Sequence, residues 1–134
     1  GFRLPSHVRI AAFVSLSFAY LCKASLQGAN LAEANLDGAN VSRADLGESD
    51  CRGASFRGAN LSGADIMSAD LSGADLSGAD LEGAGLDDAR VTSATRFSGA
   101  KLGNLPGLKR LFVDGVELGR EAAIAWLERA ALRR

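Results

Sequence analysis

Residues 59–83 read ANLSG ADIMS ADLSG ADLSG ADLEG, five blocks of five residues in a single register. Working outward, the same block runs without insertion from Ala19 to Ser93, fifteen times in succession. Its first position is Ala except at Ser49, and its third is Leu, Ile, Val or Phe except at Cys51. The second position favours Asn or Asp, and the last two are mostly polar or Gly. A period of five suits neither standard element. On a helix it would rotate successive Leu residues by about 500°, so no apolar stripe forms. On one flat strand it would send them to opposite faces. The pattern works only if each block makes the same local turn and points its third residue inward. Such blocks close into coils whose backbone groups pair with the coils above and below, about 4.8 Å away.

A(D/N)LXX in tandem resembles the pentapeptide-repeat family, over more than half of the chain. The resemblance implies an all-β solenoid, a right-handed quadrilateral β-helix in which four blocks make one coil, with about four coils here. Residues 19–104 are expected to form it, between a short N-terminal cap at 1–18 and a C-terminal cap at 105–134. After Ser93 the frame slips by one. Continuing it would bury Arg96, a charge with no partner. Taking Ala94 as an extra residue restores TRFSG and AKLGN, with Phe97 and Leu102 inward, before Asn104-Leu105-Pro106-Gly107 ends the solenoid by turn chemistry.

The composition agrees. The chain is 134 residues long, enough for one domain. Its 47% apolar content is rich in Ala, which buries little area, and its 16 Gly suit a regular repeat. A first residue that is Gly rather than Met leaves room for residues upstream, and the chain is readable as one domain of a larger polypeptide. Val8 to Cys22 is apolar but short for a membrane span and is interrupted by Arg9, so a packed cap at Val8 to Leu16 is expected over an anchor.

A solenoid must cover its ends. Val113-Asp114-Gly115-Val116 reads as a tight turn between short extended pieces. Beyond Gly119, strong helix formers predict an α-helix over about 120–132. Its apolar stripe holds Ile124, Leu127 and Ala131, with Trp126 at the edge. These residues are expected to cap the last coil; the alternative is a homodimer contact, which the C-terminal parts of several related proteins make.

Catalytic chemistry has little to build on. His7 is the only histidine and lies outside the repeats, so no histidine triad or metal cluster is expected. Most Gly follow the five-residue beat and no GxxxxGK(S/T) or GxGxxG context occurs, so no phosphate loop is read, and repeated Asp lacks the nonapeptide period of a calcium-binding roll. Cys51 takes a Leu slot and should be buried and inert. Cys22 should point outward on the opposite side, out of bridging range. Two cysteines make no disulfide framework, and a reducing, cytoplasmic setting follows. No cofactor and no enzymatic activity are expected.

Charge is unevenly spread under a net −1. Residues 19–93 hold twelve acids and five bases, whereas residues from Ala94 onward hold eight bases and four acids. With four blocks per coil, one side stacks ASLQG, ADLGE, ADIMS and AGLDD. It carries Asp45, Glu48, Asp65, Asp87 and Asp88 with no base. Asp37 falls one coil from Arg57, in pairing range. Asp at the second position can serve the local turn, which accounts for Asp45 and Asp65 but not for Glu48, Asp87 or Asp88. The expected function is a non-enzymatic protein-binding or scaffold module acting through a solenoid side. The alternative implied by the resemblance is an acidic DNA mimic that binds DNA gyrase. Against the mimic, four coils give a rod of only about 20 Å.

Overall fold

The computed structural model describes residues 15–134. Most of the expected N-terminal cap, including His7 and Arg9, lies outside them. Within that segment Ser15–Phe18 already follow the coil, with Ser15 bridged to Asn35.

Bridges join second-position residues twenty apart along four columns: Tyr20–Asn40–Asn60–Asp80, Ser25–Asp45–Asp65–Gly85, Asn30–Asp50–Asp70–Arg90 and Asn35–Ser55–Asp75. Four blocks therefore make each turn of a quadrilateral β-helix. The reason the block repeats so strictly lies in its five N–H groups, each of which needs an acceptor. In the block Asn60–Ala64, Asn60 N–H donates one coil back to Ala39 (2.9 Å), and Leu61 N–H one coil on to Asp80 (2.8 Å). Gly63 N–H reaches Glu82 (2.8 Å), and Ala64 N–H closes the turn on Leu61 (3.0 Å). The remaining fourth-position donor, Ser62 N–H, is taken by the side chain of Asn60 at 3.0 Å. Asn and Asp are favoured at the second position because they satisfy this one donor locally.

The fifth position takes a positive φ in block after block, which favours Gly. At Gly38 the demand is double, since φ is +65° and the Phe18 ring lies where a Cβ would go. Inside, alternating Ala and Leu columns from Ala24 to Ala89 are almost fully buried. Cys51 joins them, and burial pushes its thiol up to about 12. Beside it, the buried Ser49 hydroxyl donates to Leu46 O at 2.7 Å, so the one Ser in the Ala column is satisfied.

The frame slip is an insertion. Beyond it the columns bridge Asp75 to Arg96 and Asp80 to Lys101, twenty-one residues apart. Phe97 is buried and Arg96 exposed, while Leu102 is half-buried. Thr95 enters the Ala column and is buried. The chain then forms β2 (Arg110–Val113), which pairs parallel with β1 (Arg90–Val91), and β3 (Val116–Gly119), which pairs antiparallel with β2. The β2–β3 turn at Asp114-Gly115 has φ of 50° and 79°, the two positive values a two-residue hairpin prefers. Helix α1 (Arg120–Leu132) buries Ala123, Leu127 and Ala130. Its Trp126 ring meets Phe97 edge-on at 6.0 Å, and Gly99 N–H donates to Ala131 O at 2.8 Å. The helix thus packs on the last coil of its own solenoid. The Arg120 guanidinium donates to the carbonyls of Leu105 (3.2 Å) and Leu108 (2.8 Å), fixing the linking segment.

Candidate interaction surface

The Ser25–Asp45–Asp65–Gly85 side carries all five acidic residues singled out from the sequence, but it does not present them alike. Asp45 Oδ1 accepts Gly47 N–H at 2.9 Å and Asp65 Oδ1 accepts Met67 N–H at 3.0 Å, so one oxygen of each serves the turn. Glu48 is exposed and free of any such duty. Asp87 and Asp88 are instead tied to the tail. Asp87 Oδ1 accepts the backbone N–H groups of Lys109 (2.9 Å) and Arg110 (3.1 Å), and Arg110 pairs with Asp88 and, at 3.0 Å, with Glu117. The acidic stripe is therefore shorter than its sequence, because the basic β2 segment lies along its last block.

The tail clamp makes a pH prediction. Burial acts to raise the Asp87 pKa, but the two backbone donors and the nearby Lys109 and Arg110 charges outweigh it and hold it below the usual 3.8. A depressed folded-state value means the stabilisation is complete above the ordinary carboxylate value and is lost as pH falls through the lower folded one. Tail docking, followed by Trp126 fluorescence, should loosen in that acid range. In Asp87→Asn the acid-range transition should flatten, and an unchanged profile would remove Asp87 from the clamp.

Two features of this side escaped the sequence reading. Met67 is an exposed large apolar side chain, at 47%, among the carboxylates. Glu48, Ser68 and Asp88 occupy the left-handed turn position with φ of 57°, 60° and 59°. Their sequence signal was the absence of Gly at three successive fifth positions. Lys23 and Arg43 do the same on one adjoining side and Glu33 on the other, but Gly follows them there, at Gly63 after Arg43 and at Gly53 after Glu33.

Elsewhere, Asp37 meets Arg57 at 3.1 Å as its spacing implied. Cys22 is half-buried with Ser42 Oγ 3.4 Å from its sulfur, and both cysteines are free thiols. Of the helix residues, Leu127 is fully buried against the solenoid core, whereas Ile124, Trp126 and Ala131 are half-buried. Among the described residues no cluster of His, Cys, Asp or Glu could hold a metal ion, and no helix is long and apolar enough to cross a membrane.

A right-handed four-sided β-helix with one acid-rich side and a strand–helix tail defines a repeat module of the pentapeptide class. The sequence profile described as pentapeptide repeats matches residues 15–50 and 44–83, in eight copies. The chain belongs to the pentapeptide-repeat family. Proteins of this family are generally structural or binding modules. Among solved structures, the chain is similar to the pentapeptide repeat protein Rfr23 from the cyanobacterium Cyanothece 51142, at 29% identity and a TM-score of 0.62. That match covers 71% of this chain and 60% of Rfr23, so the chain spans less than two thirds of that protein. It is also similar to HetL from Nostoc sp. strain PCC 7120, a pentapeptide repeat protein involved in heterocyst differentiation regulation. Identity is 30% and the TM-score 0.41, over 85% of this chain and 67% of HetL. A trypsin-treated form of QnrB1, a plasmid-mediated fluoroquinolone resistance protein, matches at 16% identity and a TM-score of 0.45, over 96% of this chain and 94% of that one. No curated protein matches the sequence.

Proposed function

We propose that this chain is a non-enzymatic protein-binding module, and that its contact surface is the side bearing Asp45, Glu48, Asp65, Met67 and Ser68. The observation that carries the reading is the backbone at Glu48 and Ser68. A non-Gly residue in the left-handed region costs roughly 1–2 kcal/mol, and such strain gathers where side chains have work to do. On the opposite side, the Asn35–Ser55–Asp75 column, Gly takes the same position on three successive coils, at Gly38, Gly58 and Gly78. Keeping Glu48 and Ser68 therefore favours what they present outward. Met67 between two carboxylates suits a partner with a basic surface around an apolar socket, since Met is enriched at contact centres and charge pairing selects the approach.

Replacing both Glu48 and Ser68 by Gly should raise folding stability by about 1 kcal/mol per site while weakening capture of the partner. Chemical denaturation gives the first number. Cross-linking followed by pull-down, beside Met67→Asp, gives the second. If parent and both variants capture the same proteins equally, this side is not the contact surface.

A second reading, an acidic mimic of duplex DNA that engages DNA gyrase, is favoured by the stacked Asp45 and Asp65 with Glu48 beside them and no base in their blocks. Capture of Asp87 and Asp88 by the tail weighs against it, as does the apolar Met67 within the stripe. Salt-sensitive inhibition of gyrase supercoiling, abolished by Asp45→Asn, Glu48→Gln and Asp65→Asn together, would favour the mimic over the binding module.

A further inference from the structure

Between the last coil and the end of α1 lies a cavity of about 150 Å³ whose wall includes Arg96, Arg133 and Arg134, together with Ser93. No carboxylate side chain lines it. None of the three arginines belongs to an ion pair among the described residues, where the pairs are Arg52–Asp50, Arg57–Asp37, Arg110–Asp88 and Arg110–Glu117. Three like charges drawn around one space repel each other.

The helix end does not account for the grouping. Arg133 and Arg134 follow Leu132, where cations complement the negative end of the helix dipole. Arg96, however, is on the coil, twenty-one residues beyond Asp75 in the ladder. Asp75 Oδ1 is taken by Ser77 N–H at 2.9 Å. Asp114 accepts Ser93 N–H at 2.9 Å and lines a different cavity. Arg133 is also held in place. Its guanidinium carbon lies 5.9 Å from the centre of the Trp126 ring, and its carbonyl accepts the Ser98 hydroxyl.

We propose that this cavity is a binding site for a phosphate-sized oxyanion. Guanidinium forks match the oxygen spacing of phosphate and offer several donors each, and all three are exposed to an incoming anion. The volume is below the roughly 300–1,000 Å³ of pockets that enclose drug-sized ligands. It therefore takes the anionic group itself, either as free phosphate or as the end of a phosphate monoester. This site is separate from the acidic side, so it stands or falls independently of the proposed contact surface.

The test is calorimetric titration of the whole chain with inorganic phosphate and with phosphoserine, at constant ionic strength, with Trp126 fluorescence read in parallel. Trp126 is the single Trp and touches Arg133, so its emission should change as the site fills. Saturable 1:1 binding is expected, weakened about 10-fold or more in Arg96→Gln or Arg134→Gln, and unchanged in Lys109→Gln. Arg96 is exposed and its ladder bond, Arg96 N–H to Ala74 O, is backbone, so Arg96→Gln should fold. Binding of phosphate alone would identify a free-anion site, and binding of both probes an ester-accepting one. No saturable heat with either probe, an equal response to chloride, or equal weakening by Lys109→Gln would each overturn the proposal.

Discussion

Phe97→Ala is expected to cost about 3–5 kcal/mol, as large aromatic truncations in well-packed cores do, and to unfold the C-terminal end before the rest. Phe97 is 1% exposed and is the first inward third-position residue after the insertion. It meets Trp126 edge-on, while Ala123, Leu127 and Ala130 bury the helix around it. In a stacked array each unit contacts only its neighbours, so damage at one end need not spread through the coils. Denaturant titration should therefore show Trp126 emission shifting at lower denaturant than the far-ultraviolet circular dichroism of the coils. Phe56→Ala removes an equally buried ring from the middle of the stack and should lower both signals together. Coincident transitions in Phe97→Ala, or a cost under about 1 kcal/mol, would mean the helix is held by something other than this ring.

Thr95→Val is the second large effect, expected at about 1–3 kcal/mol despite nearly identical shape. The reason is the inserted residue. In a regular block a fifth-position N–H donates to the fourth-position carbonyl of the next coil, as Gly53 does to Ser72 at 3.0 Å. Gly73 cannot find that arrangement, because Thr92 O is drawn into a turn with Thr95 N–H at 3.0 Å. The Thr95 hydroxyl stands in. It accepts from Gly73 N–H (3.2 Å) and Thr92 N–H (2.9 Å) and donates to Leu71 O (2.9 Å). Valine would take this partner from the buried Leu71 carbonyl and from the N–H groups of Thr92 and Gly73, the last keeping only Thr92 Oγ1 at 3.3 Å. Thr95→Ser, which keeps the oxygen, should recover most of the loss in the same denaturation experiment; a Val variant as stable as the Ser variant would show the hydroxyl to be idle.

Sequence reading reached the interior well and the surface less well. Leu61, Ile66 and Leu71 are buried because every block repeats one local turn, and a local rule shows itself as a period. Ala94 was identifiable as an extra residue because the alternative buried Arg96. The four-sided stacking came from family resemblance, and the ladder from Ser25 to Gly85 agrees with it. Asp37 and Arg57 were read as a pair from that stacking alone. Asp87 and Asp88 were read as part of an open stripe, since nothing in their block states that Lys109 and Arg110 return to them from more than twenty residues away. Met67 occupies a position where any polar residue would fit, so its exposure carried no sequence signal beyond its own identity.

By itself, then, the sequence determined the repeat, the buried columns and the places where the beat breaks, because each is set by hydrogen bonds and side-chain directions within one block and its copies. Only the tertiary structure decided what covers the last coil, which carboxylates remain open, how Thr95 mends the ladder, and that Arg96 meets Arg133 and Arg134 around one cavity. Those outcomes depend on a non-repeating tail packing against a distant coil, and no periodicity encodes where such a tail comes to rest.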